Sequence, residues 1–353
     1  MPAAPDHWQF CLKALNEKPG FSGPETLGTH GPDPFFFYGQ VPWKKRADNS
    51  RAHDFAEWLH DAPPSEVLGP LVRSAQNIQD EKEKNNSLHT SEPESLRALA
   101  FRFLKGMVFH YLLDRNIHPW VYWSIGFNNE LNPDPPSRIR HARFEAALAT
   151  LGPVPQEEMV QYSQSPRIML HGEKAWFAAA DALFTSAFPD RYKKGMYEAS
   201  FNDMKTVLLF IWDPLAIKRK IFDAFGAHDS LPRSMIQPVI TKEFEKRDYR
   251  NAEHKQWLMP STGTEQYESA GDLVQRALEE AKEAEKYLNQ IEADIIEKDG
   301  SQQTEQKKQN LSRIKYNPKV LEFISWLGNL NHEGCAPGEV MKYWKGIVKE
   351  NTL

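Results

Sequence analysis

Three residues with metal-ligating side chains follow one another at intervals of four: His110, Asp114 and His118. On a continuous helix this spacing puts the three side chains along one side, because four residues advance about 400° around the axis. A histidine and a carboxylate one turn apart can share a metal ion. The whole line spans about 12 Å, so at most two of the three bind one ion unless the helix breaks near Arg115, as Pro119 would allow. The alternative is a polar stripe on an otherwise buried helix.

A second histidine-rich stretch, HDFAEWLH, covers residues 53–60. Glu57 and His60 have the Glu-x-x-His spacing of the di-iron carboxylate bundles, and His53 lies one turn before Glu57. That type of site needs two such copies and two further glutamates, whereas one copy occurs here. The stretch therefore predicts an amphipathic helix, with a metal ligand at His60 as the alternative.

Histidine and cysteine also lie close together near the C-terminus, in the sequence NLNHEGCAPG. His332 and Cys335 are three residues apart, which is half of a zinc site. The other half is absent from the neighbouring sequence, and the second cysteine of the chain is Cys11. The favoured prediction is a structural loop between two helices.

Motifs of several enzyme classes are absent from the sequence. It contains no P-loop, no GxGxxG, no GxSxG and no HExxH, so no nucleotide or other organic cofactor is indicated, and a divalent metal is the one cofactor considered. Arg138, Arg140 and Arg143 form a local basic patch, and the aromatic residues of 120–127 are able to stack on a base. The acidic excess behind the net charge of −5 falls within residues 266–310, however. Since the rest of the chain is near neutral, nucleic-acid binding is the weakest hypothesis.

The clearest pattern in the chain is a heptad seam of apolar residues. Its members alternate at intervals of four and three: Ala270, Val274, Ala277, Ala281, Ala284, Leu288, Ile291 and Ile295. Such a seam predicts a long helix packed against another helix, in the same chain or in a second copy. The small alanines in its middle favour close approach of the two backbones. A capping box at Thr262 and Glu265 predicts the start of this helix.

Proline-punctuated helical patterns occupy most of the remaining sequence. A capping box from Ser91 to Glu94 precedes a largely apolar helix that is predicted to end near Arg115. The aromatic stretch 120–127 is expected to be a buried strand or the start of a helix. FFFYG, at 35–39, is expected to be a short strand or an apolar plug, because the flanking prolines disfavour a helix.

The predicted fold class is mainly α: a multi-helix, bundle-like domain with a long heptad-patterned helix, a small C-terminal helical module and few or no short strands. Five segments are expected. Residues 1–50 form an irregular segment rich in Pro and Gly, 51–260 the main helical domain, 261–299 the heptad helix, 300–315 a polar linker and 316–353 a C-terminal pair of helices.

The leading functional hypothesis from the sequence is a soluble intracellular adaptor that works through helix–helix contacts. Its partner is another protein, or a second copy of the chain, bound through the heptad helix. No run of 18 apolar residues and no secretory signal is present, and two distant cysteines suit the reducing cytoplasm. The alternatives are a metal-dependent enzyme, with His110 and Asp114 joined by His118 or His60, and a nucleic-acid-associated subunit.

Overall fold

Helices make up nearly all of the regular structure in the part of the chain that the computed structural model describes. The described residues are 4–18, 20–41, 43–44, 46, 48–78, 94–126, 137–151, 166–227, 230–236, 248–301 and 317–345. In chain order the helices are α1 (Ala4–Ala14), α2 (Pro24–Gly28), α3 (Asn49–Asp61), α4 (Leu68–Asn77), α5 (Leu96–Ile125), α6 (Ser137–Leu151), α7 (Pro166–Met169), α8 (Lys174–Ala187), α9 (Met196–Ile211), α10 (Ile217–Ala224), α11 (Leu231–Ser234), α12 (Ala270–Ser301) and α13 (Pro318–Leu327). A short antiparallel pair, β1 (Trp257–Leu258) and β2 (Glu265–Gln266), completes them. The predicted mainly α class is confirmed.

Helix α5 is the central element, and α1, α2, α4, α6, α8 and α12 all pack against it. Its N-cap is Ser95, whose hydroxyl accepts a hydrogen bond from the Ala98 amide at 3.2 Å. The predicted cap at Ser91 lies outside the described residues, and the predicted end near Arg115 is wrong, because the helix continues through Pro119 to Ile125. Burial explains the continuation: residues 117–121 are all at least nine-tenths buried, so packing offsets the hydrogen bond that the proline removes. The aromatic stretch is therefore the last part of this helix, and Phe127 lies outside the described residues.

Helices α2 and α5 approach each other through glycine. A Cβ atom on Gly106 would lie 2.1 Å from the Glu25 carbonyl oxygen, and one on Gly28 would lie 2.0 Å from that of Phe103. Both distances are far below any real contact, so only glycine allows this backbone separation. Arg102 secures the same crossing, because its guanidinium donates to both carboxylate oxygens of Glu25 at 2.7 and 2.8 Å.

The heptad seam of α12 packs against α5 of the same chain. Seven of its eight members are at least 96% buried, and Ile295 is partly buried. Polar contacts flank the seam, with Lys105 donating to Glu285 at 2.8 Å and Asn116 to Glu280 at 2.7 Å. The apolar face that the sequence assigns to a partner is thus covered within the chain.

Helix α12 begins later than predicted. The Ser269 amide donates to the Asp272 carboxylate, and the Asp272 amide donates to the Ser269 hydroxyl. The two residues thus form a capping box at the start of the helix. Thr262 and Glu265 are instead parts of the turn and second strand of the β1–β2 hairpin. Hydrogen-bonded pairing of the two strands takes these residues away from the helix start.

Two further segments differ from the structure that the sequence predicts. Residues Asp33–Phe37 form a 3-10 helix, not a strand, and Phe35 is fully packed among aromatic rings. After α13 the segment 328–345 contains no helix, so the predicted second C-terminal helix is absent up to Lys345. Residues 346–353 of that predicted pair lie outside the described residues. Within the described residues, no helix combines the length and apolarity needed to cross a membrane.

Candidate metal centre

Four separate elements deliver histidines and carboxylates to the side of α5 that carries His110, Asp114 and His118. The convergent residues are His7 from α1, Asp33 from the 3-10 helix, His60 from α3, and His141 and Glu145 from α6. Those members that are at least nine-tenths buried lie in the protein interior. A charged or polar group is costly there unless it has a partner.

Asp114 is the centre of this cluster. Its Oδ2 lies 3.0 Å from Nε2 of His110, and its Oδ1 lies 3.2 Å from Nε2 of His7 and 3.9 Å from Nε2 of His118. The carboxylate is completely buried. One carboxylate with both oxygens turned towards imidazole nitrogens has the arrangement of a ligand shared between neighbouring metal positions.

The first group of ligand atoms combines Asp33, His60 and His110. The Asp33 Oδ1 atom lies 3.3 Å from Nε2 of His60 and 3.6 Å from Nε2 of His110. All three ligand atoms lie within 4.8 Å of one another, which suits coordination of one ion. Oδ2 of Asp114, 3.0 Å from Nε2 of His110, lies next to this group and is available as a fourth ligand.

The second group combines His118, His141 and Glu145. Oε1 of Glu145 lies 2.6 Å from Nε2 of His141 and 3.7 Å from Nε2 of His118. These three ligand atoms also lie within 4.8 Å of one another. Two histidines and one glutamate, with a fourth position left for water, are a ligand set of catalytic zinc sites.

His7 completes a third combination, with His110 and Asp114. Because one ring nitrogen binds one ion at a time, this group and the Asp33 group compete for Nε2 of His110. The ligand atoms therefore suffice for at least two ions, one in the group of Asp33 and one in the group of Glu145. His7 and Oδ1 of Asp114 remain as two ligands of a further position.

Hydrogen bonds to main-chain carbonyls orient three of these histidines in the same way. Nδ1 of His110 donates to Thr29 at 3.0 Å, and Nδ1 of His60 donates to Ala56 at 2.8 Å. Nδ1 of His118 donates to the carbonyl of His332 at 2.8 Å. Since a carbonyl only accepts, Nδ1 carries a proton, and in the neutral ring Nε2 therefore has the lone pair. This is the tautomer of a metal-ligating histidine with an oriented ring.

Several of the inward-facing atoms are buried without a hydrogen-bond partner among the described residues. They are both oxygens of Asp114, both ring nitrogens of His7, Nε2 of His110 and Nε2 of His118. An unpartnered buried polar atom costs about 1–3 kcal/mol, so a concentration of them calls for an explanation. A bound metal ion satisfies lone pairs of this kind directly.

A search of protein-family models, of curated proteins and of solved structures finds no match for this chain. The case for the centre therefore rests on its geometry and electrostatics.

Electrostatic effects within the cluster favour charged carboxylates. Burial alone would raise the pKa of Asp114, but His110, His118 and His7 outweigh it and hold that pKa well below its usual value. Burial lowers the pKa of His110, whereas the adjacent Asp114 and Asp33 carboxylates raise it overall. Burial also opposes ionisation of Glu145, yet His141 brings its pKa far below the normal range. Anionic oxygens beside imidazoles are suitable ligands for a divalent cation.

The structure divides the sequence-predicted line of three between the two groups. His110 and Asp114 lie together with His7, while His118 joins His141 and Glu145 of α6. His60 turns towards Asp33, and His53 forms an exposed pair with Glu57 at 3.5 Å instead.

The other sequence candidates lie apart from the centre. Cys335 packs with Met341, and no ligand group among the described residues includes a cysteine. Arg140 donates to the Ile125 carbonyl, and the side chain of Arg138 lies outside the described set. Trp120 and Trp123 are buried in the core, so their rings are closed to a base.

Sequence reasoning missed four members of the centre: His7, Asp33, His141 and Glu145. His141 and Glu145 have the same spacing of four as His110 and Asp114, so a local signal for them existed. His7 and Asp33 have no such signal, because only the folded chain brings α1 and the 3-10 helix to α5.

Proposed function

We propose that this protein is a metal-dependent hydrolase of phosphate esters, with a centre of at least two divalent ions bound around Asp114. The observation that carries the proposal is the buried Asp114 carboxylate, whose oxygens lie 3.0 Å from Nε2 of His110 and 3.9 Å from Nε2 of His118 without a well-aligned hydrogen bond to either. Mixed imidazole and carboxylate ligands suit zinc first, and manganese or iron as well.

The hydrolytic chemistry follows from the second ligand group. His118, His141 and Glu145 supply three protein ligands, which leaves one position of a tetrahedral ion for water. An ion in such a site lowers the pKa of its water towards neutrality and so produces hydroxide at physiological pH. With an ion held there, the hydroxide oxygen would form a bond to the substrate phosphorus, the bond from phosphorus to the alkoxide oxygen would break, and the proton released by the water would go to the alkoxide.

Charge favours a phosphate ester over a neutral substrate. Two divalent ions carry four positive charges, against three negative charges on Asp33, Asp114 and Glu145. The histidines of the centre bind as neutral ligands, so the loaded centre has a net charge of about +1 with water bound and attracts an anion into a buried, low-dielectric site. Neighbouring ions also clamp the attacking and departing oxygens of an in-line displacement at phosphorus.

Metal content and hydrolysis test this proposal together. Elemental mass spectrometry of protein purified without an affinity metal should find at least two equivalents of zinc or another divalent metal. Hydrolysis of p-nitrophenyl phosphate or bis(p-nitrophenyl) phosphate should disappear on chelation and return on adding Zn²⁺. Glu145→Gln should abolish it, whereas His171→Ala, at a half-exposed histidine paired with Glu173, should not. Folded protein that takes up no divalent metal would refute the proposal.

The adaptor hypothesis concerns a different part of the chain. The described residues of the α12 seam are buried against α5, so they present no exposed apolar face to a partner protein. Binding of a separate protein, self-association, nucleic-acid binding and a cytoplasmic location remain predictions from sequence, and none of them is required by the hydrolase proposal.

A further inference from the structure

The loop that follows α13 is fastened along one face of α5. Four side chains of that face, at spacings of four, three and four residues, make the contacts: Tyr111, Arg115, His118 and Tyr122. The first two donate to the carbonyls of Leu330 and Leu327 at 2.8 and 2.5 Å. Tyr122 donates to the Glu333 carboxylate at 2.8 Å. The loop is thus held in a defined position beside the metal centre.

His332 is the loop residue nearest to the candidate ligands. Its amide donates to the His60 carbonyl at 3.1 Å, and its carbonyl accepts from Nδ1 of His118 at 2.8 Å. Its ring centroid lies 4.9 Å from that of His60 and 5.5 Å from that of His110. One short segment therefore contacts a histidine of each of the two ligand groups.

The imidazole of His332 has an unmet hydrogen-bonding requirement. The residue is 97% buried, yet its Nδ1 atom has no hydrogen-bond partner among the described residues. The ring is not a member of any group of ligand atoms that lie within 4.8 Å of one another. It therefore lies beside the candidate ligands without belonging to their groups, and its free Nδ1 is available to a further polar atom bound at the centre.

We propose that His332 positions the oxygen ligand of the metal centre: its carbonyl fixes the ring of His118, and its imidazole N–H donates to metal-bound water or to the phosphate oxygen that replaces the water. This inference rests on the proposed function, which supplies the metal and the phosphate. In metal sites, residues that hydrogen-bond to the ligands orient them, and their loss typically reduces metal affinity or activity about 10–100-fold. We assign this role to His332 of the C-terminal loop.

Cobalt binding and phosphate binding together test this role without requiring catalysis. The full-length chain is freed of metal, loaded with Co²⁺ and titrated with inorganic phosphate while the visible absorption of the cobalt is recorded. His332→Phe keeps a flat ring and the main-chain carbonyl but removes both ring nitrogens. We expect it to bind the same number of Co²⁺ equivalents as the wild type and to bind phosphate about tenfold more weakly. If circular dichroism shows that this variant is unfolded, His332→Ala replaces it with the same expectation.

Tyr111→Phe is the matched control, because it removes one fastening of the same loop, to Leu330, and leaves His332 intact. We expect the phosphate affinity of this variant to remain at the wild-type value. Unchanged phosphate affinity in His332→Phe, an equal loss in Tyr111→Phe, or loss of a Co²⁺ equivalent in His332→Phe would each overturn the role. A wild-type chain that binds Co²⁺ but not phosphate would overturn it too. Failure of the wild type to bind Co²⁺ would instead overturn the proposed function, and this inference with it.

Discussion

Nε2 of His110 lies 3.0 Å from Oδ2 of Asp114, one turn further along α5, and both side chains are completely buried. In the metal-free chain burial lowers the pKa of His110, but the Asp114 and Asp33 carboxylates raise it overall, so the imidazole holds a second proton more tightly than usual. Metal binding must displace that proton, because an imidazole binds a metal in its neutral form. The pair therefore couples metal affinity to pH, with affinity falling as the solution becomes more acidic.

Asp114→Asn should remove more than one metal equivalent. The amide keeps the size of the carboxylate but loses the negative charge that faces His7, His110 and His118. We expect metal content, measured by elemental mass spectrometry, to fall by at least one equivalent more than in His7→Ala.

Asp203→Asn is the control for that experiment. Asp203 is equally buried but binds Lys44, Arg46 and the Gly39 amide, away from the cluster. Its replacement should lower the free energy of unfolding and leave metal content unchanged. If Asp114→Asn kept its full complement of metal, Asp114 could not be the shared ligand.

His30 should make the metal-free protein sensitive to acid. Burial, together with the nearby His7, lowers the pKa of His30 to about 4, against an ordinary value of 6.5. Because the unfolded chain then binds the proton more tightly, this contribution to stability is present above pH 6.5 and is lost as the pH falls towards 4. The difference corresponds to at most about 3 kcal/mol.

His30→Gln should remove that part of the pH dependence. Urea unfolding of chelated protein at pH 7 and pH 4.5 measures it, and the loss of stability between the two should be smaller in the variant by about 2 kcal/mol. An equal loss in wild type and variant would show that His30 is protonated in the folded state as easily as in the unfolded state.

The sequence predicted the centre only where its members are close in sequence. The spacing of four singles out His110 and Asp114, and the structure places His118 in a different group of candidate ligand atoms from His110. His7 and Asp33 carry no periodic signal, because their contribution depends on how α1 and the 3-10 helix pack onto α5. Long-range packing of this kind is decided by the whole core and not by any local pattern.

Helix boundaries show the same limit. Apolar periodicity predicted the existence of α5 and α12, and the heptad seam is buried as a helix-packing face. The predicted end of α5 was wrong because burial of the residues around Pro119 outweighs the tendency of proline to end a helix. The predicted start of α12 was wrong because Thr262 and Glu265 belong to the β1–β2 hairpin, whose strand pairing depends on tertiary contacts.

Gly106→Ala should destabilise the fold although alanine is the better helix former by about 1 kcal/mol. Its Cβ atom would lie 2.1 Å from the Glu25 carbonyl oxygen, so α2 would have to move away from α5. We expect the free energy of unfolding in urea to fall by about 2–3 kcal/mol.

Gly69→Ala, in α4, is the matched control for that substitution. A Cβ atom there would lie 3.4 Å from the flexible Arg73 side chain and 3.7 Å from Ile324, which are ordinary contacts. Its stability should stay within about 0.5 kcal/mol of the wild type or rise. Equal effects of the two substitutions would show that the glycine contact between α2 and α5 is not tight.

Ala281→Glu should disrupt the packing of α12 on α5. Ala281 is fully buried in the middle of the seam, so the variant places a carboxylate in an apolar interface. We expect the free energy of unfolding in urea to fall by at least about 3 kcal/mol, with no gain of a dimer in size-exclusion chromatography. Lys282→Glu, at the neighbouring exposed position, changes the charge without entering the seam and should cost less than about 0.5 kcal/mol. If Ala281→Glu were as stable as Lys282→Glu, the heptad seam would not be the packing face of this helix.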